Sequence, residues 1–361
     1  MHVKKQLIFF TFDLIKYSRQ LNTSNAVTLM KRKKYIILSF LFVLSLPYIY
    51  GGCVVVFSSG KVDRDIEKKE NNSSTDFNGD TSAAVINVTS AEELAAGAFA
   101  GGLISGAAGS SASSQEPIDT QIGVFLPLRF PMSLGKALRK IEFTRISIRL
   151  FESNIQTESG IYDGSCGGSF SYEISLDRAS TEFTATLTFV DYCDQGIEIS
   201  GETEVNGIFE RETGDFLTAK FIFDNFTDGF LTLDGEIAID FSDSPTLATL
   251  TAFAEDNASG QVYWLNNYSM NIIEFAGYVE IEIFGSFYHP DYGFVIMTTI
   301  DAFVVHDEDE WPTSGQIVIQ GAKDTKAQLT AIDHLHYIVE ADSDGDGRYD
   351  WESGVLNWLD S

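Results

Sequence analysis

From about residue 168 onward, apolar and polar residues alternate with a period of two. Phe170, Tyr172, Ile174 and Leu176 share one parity. Phe183, Ala185, Leu187 and Phe189 follow, with Thr184, Thr186 and Thr188 between them. Ile197, Ile199, Val205 and Phe209 continue the pattern, with Gly201 and Gly207 on the same parity. Leu217, Ala219, Phe221 and Phe223 come next, then Leu231, Leu233, Ile237 and Ile239. One apolar face and one Thr- and acid-rich face predict antiparallel sheet with a wet side. Turn signals separate the runs, at Asp177-Arg178-Ala179, Asp194-Gln195-Gly196, Glu212-Thr213-Gly214, Thr227-Asp228-Gly229 and residues 256–260. Further strands are expected over 262–273, 278–288, 293–305, 316–321, 327–332 and 336–340. The connections are too short for crossover helices, so the strands should form a meander of hairpins. Gly201, Gly207, Gly235 and Gly285 inside strands imply bends. The fold class is therefore mainly β: an antiparallel meander forming a curved sheet, half-barrel or sandwich, with one or two helices before it.

Two segments ahead of the strands have a different character. Leu134, Ala137, Leu138, Ile141 and Ile148 fall at helical spacing, so 133–151 reads as a helix that packs on the sheet, although 143–150 also alternates like a strand. Residues 91–114 are rich in Ala and Gly, and Ser90 with Glu93 has the spacing of a capping box. Gly97 and Gly101, like Gly102 and Gly106, have the small-xxx-small spacing that permits close helix contact. Each glycine also costs a helix about 1 kcal/mol. The expectation is a linker or frayed helix, with a membrane-active or oligomerising helix as the alternative. Residues 60–80 are polar, lack apolar periodicity and read as a flexible tether.

The N-terminal region carries an address. Lys31-Arg32-Lys33-Lys34 precedes an apolar run over 35–50, and Gly51-Gly52-Cys53 follows. A basic segment, a short apolar segment and small residues before a processing point make an export signal. The run falls short of the roughly 20 residues of a spanning helix. Met30 stands just before the basic cluster, so residues 1–29 read as an over-long start, or as an amphipathic extension through Leu7, Phe9, Phe10, Phe12, Leu14 and Ile15. The chain then divides into a signal peptide over 30–52, a flexible tether with its Ala/Gly segment over 53–118, and one β-rich domain over 119–361. Gly51-Gly52-Cys53 resembles the lipobox of bacterial lipoproteins, with Tyr50 where that family usually has an aliphatic residue. The resemblance implies diacylation of Cys53, cleavage before it and membrane anchoring. Val54, rather than the Asp associated with inner-membrane retention, implies the outer membrane.

The cysteine count bears on that anchor. Of three cysteines, Cys166 and Cys193 lie in the β region. If they form a disulfide, as an oxidising envelope permits, Cys53 is the odd one out, and acylation accounts for it. Two reduced thiols are the other reading. Charge excludes one partner class. Residues 1–53 hold eight of the 24 Lys/Arg and one of the 52 Asp/Glu, so residues 54–361 carry a net charge of −35. Such a surface repels phosphate backbones, and no nucleic-acid partner is expected.

The sharpest candidate chemistry is Asp342-Ser343-Asp344-Gly345-Asp346-Gly347, followed by Asp350 and Glu352. Carboxylates at alternating positions converge on a hard cation, and glycine permits the tight turn. The motif resembles the first half of an EF-hand loop and the Asp-rich loops of dockerins and thrombospondin repeats. Ser353 stands at the twelfth place, where the EF-hand has a bidentate Glu. The resemblance implies a structural calcium held by Asp342, Asp344, Asp346, Asp350 and Glu352; the alternative is an acidic turn closing a hairpin. His334 and His336 would share a strand face but lack a third ligand. Glu280 and Glu282 also share a face, as carboxylates two apart in a strand commonly do. The run 307–310 reads as a solvated acidic loop. No catalytic residues are identified, so no enzyme is expected. Three functions compete. The first is a non-catalytic envelope lipoprotein that binds a protein partner or scaffolds the surface. The second is a half-barrel carrier of a hydrophobic ligand or lipid, which needs an unfilled apolar cavity. The third is a polysaccharide hydrolase, which needs two carboxylates in a cleft near Trp264 or Trp311. Tyr263, Trp264, Tyr268, Tyr288 and Tyr292 could line a sugar- or lipid-binding surface, or pack in core and hairpins.

Overall fold

In the computed structural model, the structure describes residues 77–112, 141 and 155–358, apart from 178, 195, 211–215, 243, 307, 308 and 310. The signal, the lipobox-like Cys53, most of the tether, and the 133–151 helix apart from Ile141 lie outside the described residues.

Alternation produces the strands it predicts. They are β1 (Ile155–Asp163), β2 (Gly167–Asp177), β3 (Glu182–Asp194), β4 (Ile197–Phe209) and β5 (Phe216–Thr227). Next come β6 (Leu231–Asp240), β7 (Thr246–Asp256), β8 (Gln261–Phe275), β9 (Tyr278–His289) and β10 (Gly293–His306). The chain ends with β11 (Ser314–Gln320), β12 (Lys326–Asp333), β13 (His336–Asp342), β14 (Trp351–Glu352) and β15 (Leu356–Asn357). Each strand from β1 to β13 pairs antiparallel with the next, and β15 pairs with β13. All belong to one open sheet. The described strands do not divide into the two sheets of a sandwich. Two long strands, β1 and β7, and the two-residue strands β14 and β15 escape the alternation reading. In β7 the inward positions Ala248, Ala252 and Ala254 are small while Leu247 and Phe253 point outward, which blurs the contrast.

The Ala/Gly segment corrects its expectation. It forms helix α1 (Ala91–Ala112), whose first half is buried on the inner face of the sheet. Its small residues are the reason. A Cβ at Gly97 would lie 2.8 Å from the ring of Phe287, one at Gly101 2.6 Å from Leu265, and one at Gly102 2.4 Å from Ile283 Cγ2. The helix therefore touches β8 and β9 at backbone distance, and packing outweighs the propensity loss. Tyr268, fully buried beneath it, donates its hydroxyl to the Ala98 carbonyl at 3.2 Å, and burial pushes that hydroxyl's pKa well up. The capping box does not form. Ser90 Oγ accepts the Asn87 N–H instead, and Glu93 turns toward His289. Among the described residues no helix is long and apolar enough to cross a membrane.

On its other side α1 meets an aromatic cluster. Phe99 lies 4.7 Å from Phe303 and 5.2 Å from Trp358, ring centre to ring centre. Trp358 stacks on Trp311 at 5.2 Å and on Tyr337 at 4.3 Å, and its indole N–H donates to the Asp333 carbonyl. Aromatic pairs contribute about 0.5–1.5 kcal/mol each beyond burial. The cluster thus ties the C-terminal segment to the helix.

A line of β-bulges crosses the sheet. Asp191, Asn225 and Asn267 have left-handed φ of 46°, 50° and 52°, each where the register shifts. Their N–H groups donate to side chains on neighbouring strands: Ser200 Oγ, Asp234 Oδ1 and Thr251 Oγ1. Gly201 and Gly235 face the next strand so closely that a Cβ would lie 2.7 Å from Asn225 O or 2.3 Å from Thr251 O. This arrangement exposes an internal repeat. Thr184–Val205 aligns without gaps on Thr218–Ile239, matching Thr184, Ala185, Phe189, Asp194, Gly201 and Glu202 with Thr218, Ala219, Phe223, Asp228, Gly235 and Glu236. Bulge residues Asp191 and Asn225 align, as do the acceptors Ser200 and Asp234. The repeat departs at Thr203, whose hydroxyl is buried without a partner where Ile237 stands.

The contact at Gly102 is testable. Gly102→Ala should destabilise the protein by about 1–3 kcal/mol in urea unfolding, because overpacking outweighs the gain in helix propensity of about 1 kcal/mol. In an Ile283→Ala background the same change should be neutral or stabilising.

Candidate metal centre

The C-terminal acidic motif begins where β13 ends. Asp342 is only 1% exposed. Its Oδ1 accepts the N–H groups of Gly345 (2.8 Å) and Asp346 (3.1 Å), and its Oδ2 accepts that of Gly347 (2.9 Å). Asp344 Oδ1 accepts the Asp346 N–H, and Asp346 Oδ1 accepts the Arg348 N–H. Gly345 and Gly347, with φ of 75° and 90°, carry the reversals that bring these amides inward.

One carboxylate oxygen from each of Asp342, Asp344 and Asp346 lies within 4.8 Å of the others. Two ligands on opposite sides of a calcium ion, each at about 2.4 Å, would be about 4.8 Å apart, so the spacing suits a hard cation. The other two residues expected here stand apart from that group. Asp350 accepts from the N–H and hydroxyl of Ser343, and its own N–H donates to the Ala341 carbonyl. Glu352 lies on β14 opposite Glu340. Burial raises the pKa of the Tyr349 phenol, and the charges of Glu340 and Asp342 add to the effect. Three carboxylates therefore gather, and the fourth fastens the loop.

The remaining candidates disperse. His334 lies in the turn between β12 and β13, 4.0 Å from Asp309, rather than beside His336 on a strand. His336 Nδ1 is 2.9 Å from Asp333, whose carboxyl is held below its usual range first by the Leu335 N–H. Glu282 accepts from the Asn271 amide, whereas Glu280 lies opposite Ile273 and Val304. Trp311 is buried against Trp358, out of reach of a polysaccharide. Of the five aromatic residues, the four on strands separate by parity. Tyr263 and Tyr268 face inward, while Trp264 and Tyr288 stack at 4.2 Å on the outer face, with Phe77 and Phe253 beside Trp264. Tyr292 lies in the β9–β10 turn. The face under α1 is filled by Phe287, Leu265 and Ile283 in contact with its glycines.

One polar cluster left no signal in the sequence. His289, 1% exposed on β9, meets Glu93 of α1 through Nε2 at 2.9 Å and accepts the Asp291 N–H at Nδ1. Tyr292 hydrogen-bonds to Glu93, which raises its phenol pKa. His289 and Glu93 are 196 positions apart, so only the fold unites them.

Cysteine pairing is as the oxidised reading requires: Cys166 and Cys193 form a disulfide across the open end of the β2–β3 hairpin. Comparison with protein-family models, curated proteins and solved structures yields no match to this chain. The loop geometry itself makes a prediction. Asp342→Asn should destabilise the protein by about 1–3 kcal/mol even in chelator, measured by urea unfolding, because an amide NH₂ would face backbone donors in a buried site.

Proposed function

We propose that this chain is a non-catalytic lipoprotein of the bacterial cell envelope. A lipid on Cys53 anchors it, Val54 directs it to the outer membrane, and the β domain binds a protein partner or scaffolds the surface. The observation that carries this reading is the Cys166–Cys193 disulfide. A disulfide suits an exported protein, and the pairing leaves Cys53 as the odd cysteine behind a basic and apolar leader. Two or three acyl chains, at about 0.8 kcal/mol per buried CH₂, suffice for stable anchoring. The packed contact between α1 and the sheet favours a scaffold over a carrier of hydrophobic ligand. In this reading calcium is structural. Asp342, Asp344 and Asp346 supply three ligands, backbone carbonyls and water complete the coordination, and the bound ion fastens the terminal segment.

Two experiments test these parts separately. Cys53→Ser should move the protein from the membrane to the soluble fraction, and the mature N-terminus should lose its acyl mass. Persistence in membranes without an acyl mass on the wild type would rule out the anchor. Calcium at about 100 times its Kd should stabilise the domain by about 2.7 kcal/mol, raising the melting temperature relative to chelator. Asp344→Asn should abolish that rise, and a wild-type melting temperature indifferent to calcium would rule out the ion.

A further inference from the structure

Residues 77–86 form a strap around one end of the sheet. Phe77 packs on the outer face, 6.0 Å from both Trp264 and Tyr288. Gly79 lies against Pro290, and the Asp80 N–H donates to the Pro290 carbonyl at 3.0 Å. Phe294 donates to the Ser82 carbonyl and accepts from the Ala84 N–H, both at 2.8 Å. The Ile86 N–H reaches Thr325 Oγ1, and α1 then starts on the inner face.

The β9–β10 turn that grips this strap is shaped from inside by His289. Because Nδ1 accepts the Asp291 N–H at 3.1 Å, the ring proton sits on Nε2 and is donated to Glu93. The groups facing the imidazole are Glu93 from α1, Tyr263 from β8, and Asp291 and Tyr292 from the turn; Asp80 lies beyond Pro290 on the strap. A further proton can enter only at Nδ1. That would set two N–H groups facing each other, and the Asp291 amide must turn away. The Pro290 carbonyl belongs to the same peptide group, which is planar. Turning the Asp291 N–H therefore also turns the carbonyl that holds Asp80. The unperturbed imidazole is the side chain whose charge changes in the mildly acidic range.

We propose that His289 is an acid-operated latch: neutral, it shapes the turn that holds strap 77–86 on the sheet; protonated, it releases the strap. The inference requires neither the lipid anchor nor the calcium loop. Amide hydrogen exchange on the full-length protein tests it, corrected for intrinsic rates and compared between about pH 7.5 and about pH 5. In the wild type, protection at Asp80 and Ala84 should fall at least about tenfold while β12 amides stay protected. His289→Gln can accept the Asp291 N–H but cannot take up a proton, and should keep strap protection at both values. Glu93→Gln should move release to lower pH. Nitrogen NMR of wild-type His289 should show Nδ1 gaining a proton over the same range, a measurement independent of any variant's folding. Strap protection unchanged by pH, an equal loss in His289→Gln, or an Nδ1 still unprotonated at about pH 5 would each overturn the latch.

Discussion

The close approach of α1 to β8 and β9 is the constraint on which the described domain depends. An amphipathic sheet must have its apolar face covered, and here a helix rich in Ala and Gly covers the part formed by the later strands. Gly97, Gly101 and Gly102 let Phe287, Leu265 and Ile283 reach the helix backbone. With the sheet so close, Phe99 reaches Phe303 and Trp358 on the opposite side. Trp358 in turn holds Trp311 and Tyr337. One contact thus joins the segment before the strands, the middle of the meander and the C-terminal segment.

The sheet itself is a modular object. Each hairpin buries one parity, and the bulges at Asp191, Asn225 and Asn267 recur with side-chain acceptors for the freed N–H groups. Bulges increase local twist and re-aim the residues that follow them. Tyr192, Phe226 and Tyr268, each the residue after a bulge, are all fully buried. The 34-residue spacing between Thr184–Val205 and Thr218–Ile239 matches one hairpin unit, about the size expected for a repeated supersecondary element.

The acidic loop belongs to the management of an exposed edge. A long unpaired strand edge invites pairing with other chains. The outer edge of β13 is occupied in short pieces by β14, Ser353 and β15, and the Asp342–Asp350 loop joins the first of these to the strand. Asp342 holds the loop shut through three backbone N–H groups, which leaves a site built around an already buried carboxylate. A cation there would reinforce an edge that the chain finishes by itself.

Period-two alternation was enough to read a one-sided antiparallel meander, most of its strand positions and the place of the Asp-rich turn. These are local properties, governed by the direction of successive side chains and by the backbone freedom of glycine. Cysteine counting offered the pairing of Cys166 with Cys193, and the structure contains that disulfide. What the sequence could not decide was every outcome that required two distant surfaces to meet. The Ala/Gly segment reads as a weak helix because propensity counts its glycines as losses, whereas contact with Phe287 and Ile283 makes them necessary. Five aromatic residues read either as one surface or as core and hairpin packing; strand parity puts Tyr263 and Tyr268 on the inner face and Trp264 and Tyr288 on the outer, and Tyr292 lies in a turn. Asp350 and Glu352 carry the same charge as the clustered aspartates, but hydrogen bonding and strand pairing draw them away. His289 and Glu93 have no local pattern at all. Alternation is written residue by residue in the sequence; which helix lies on which strand, at what distance, is decided only when the surfaces pack.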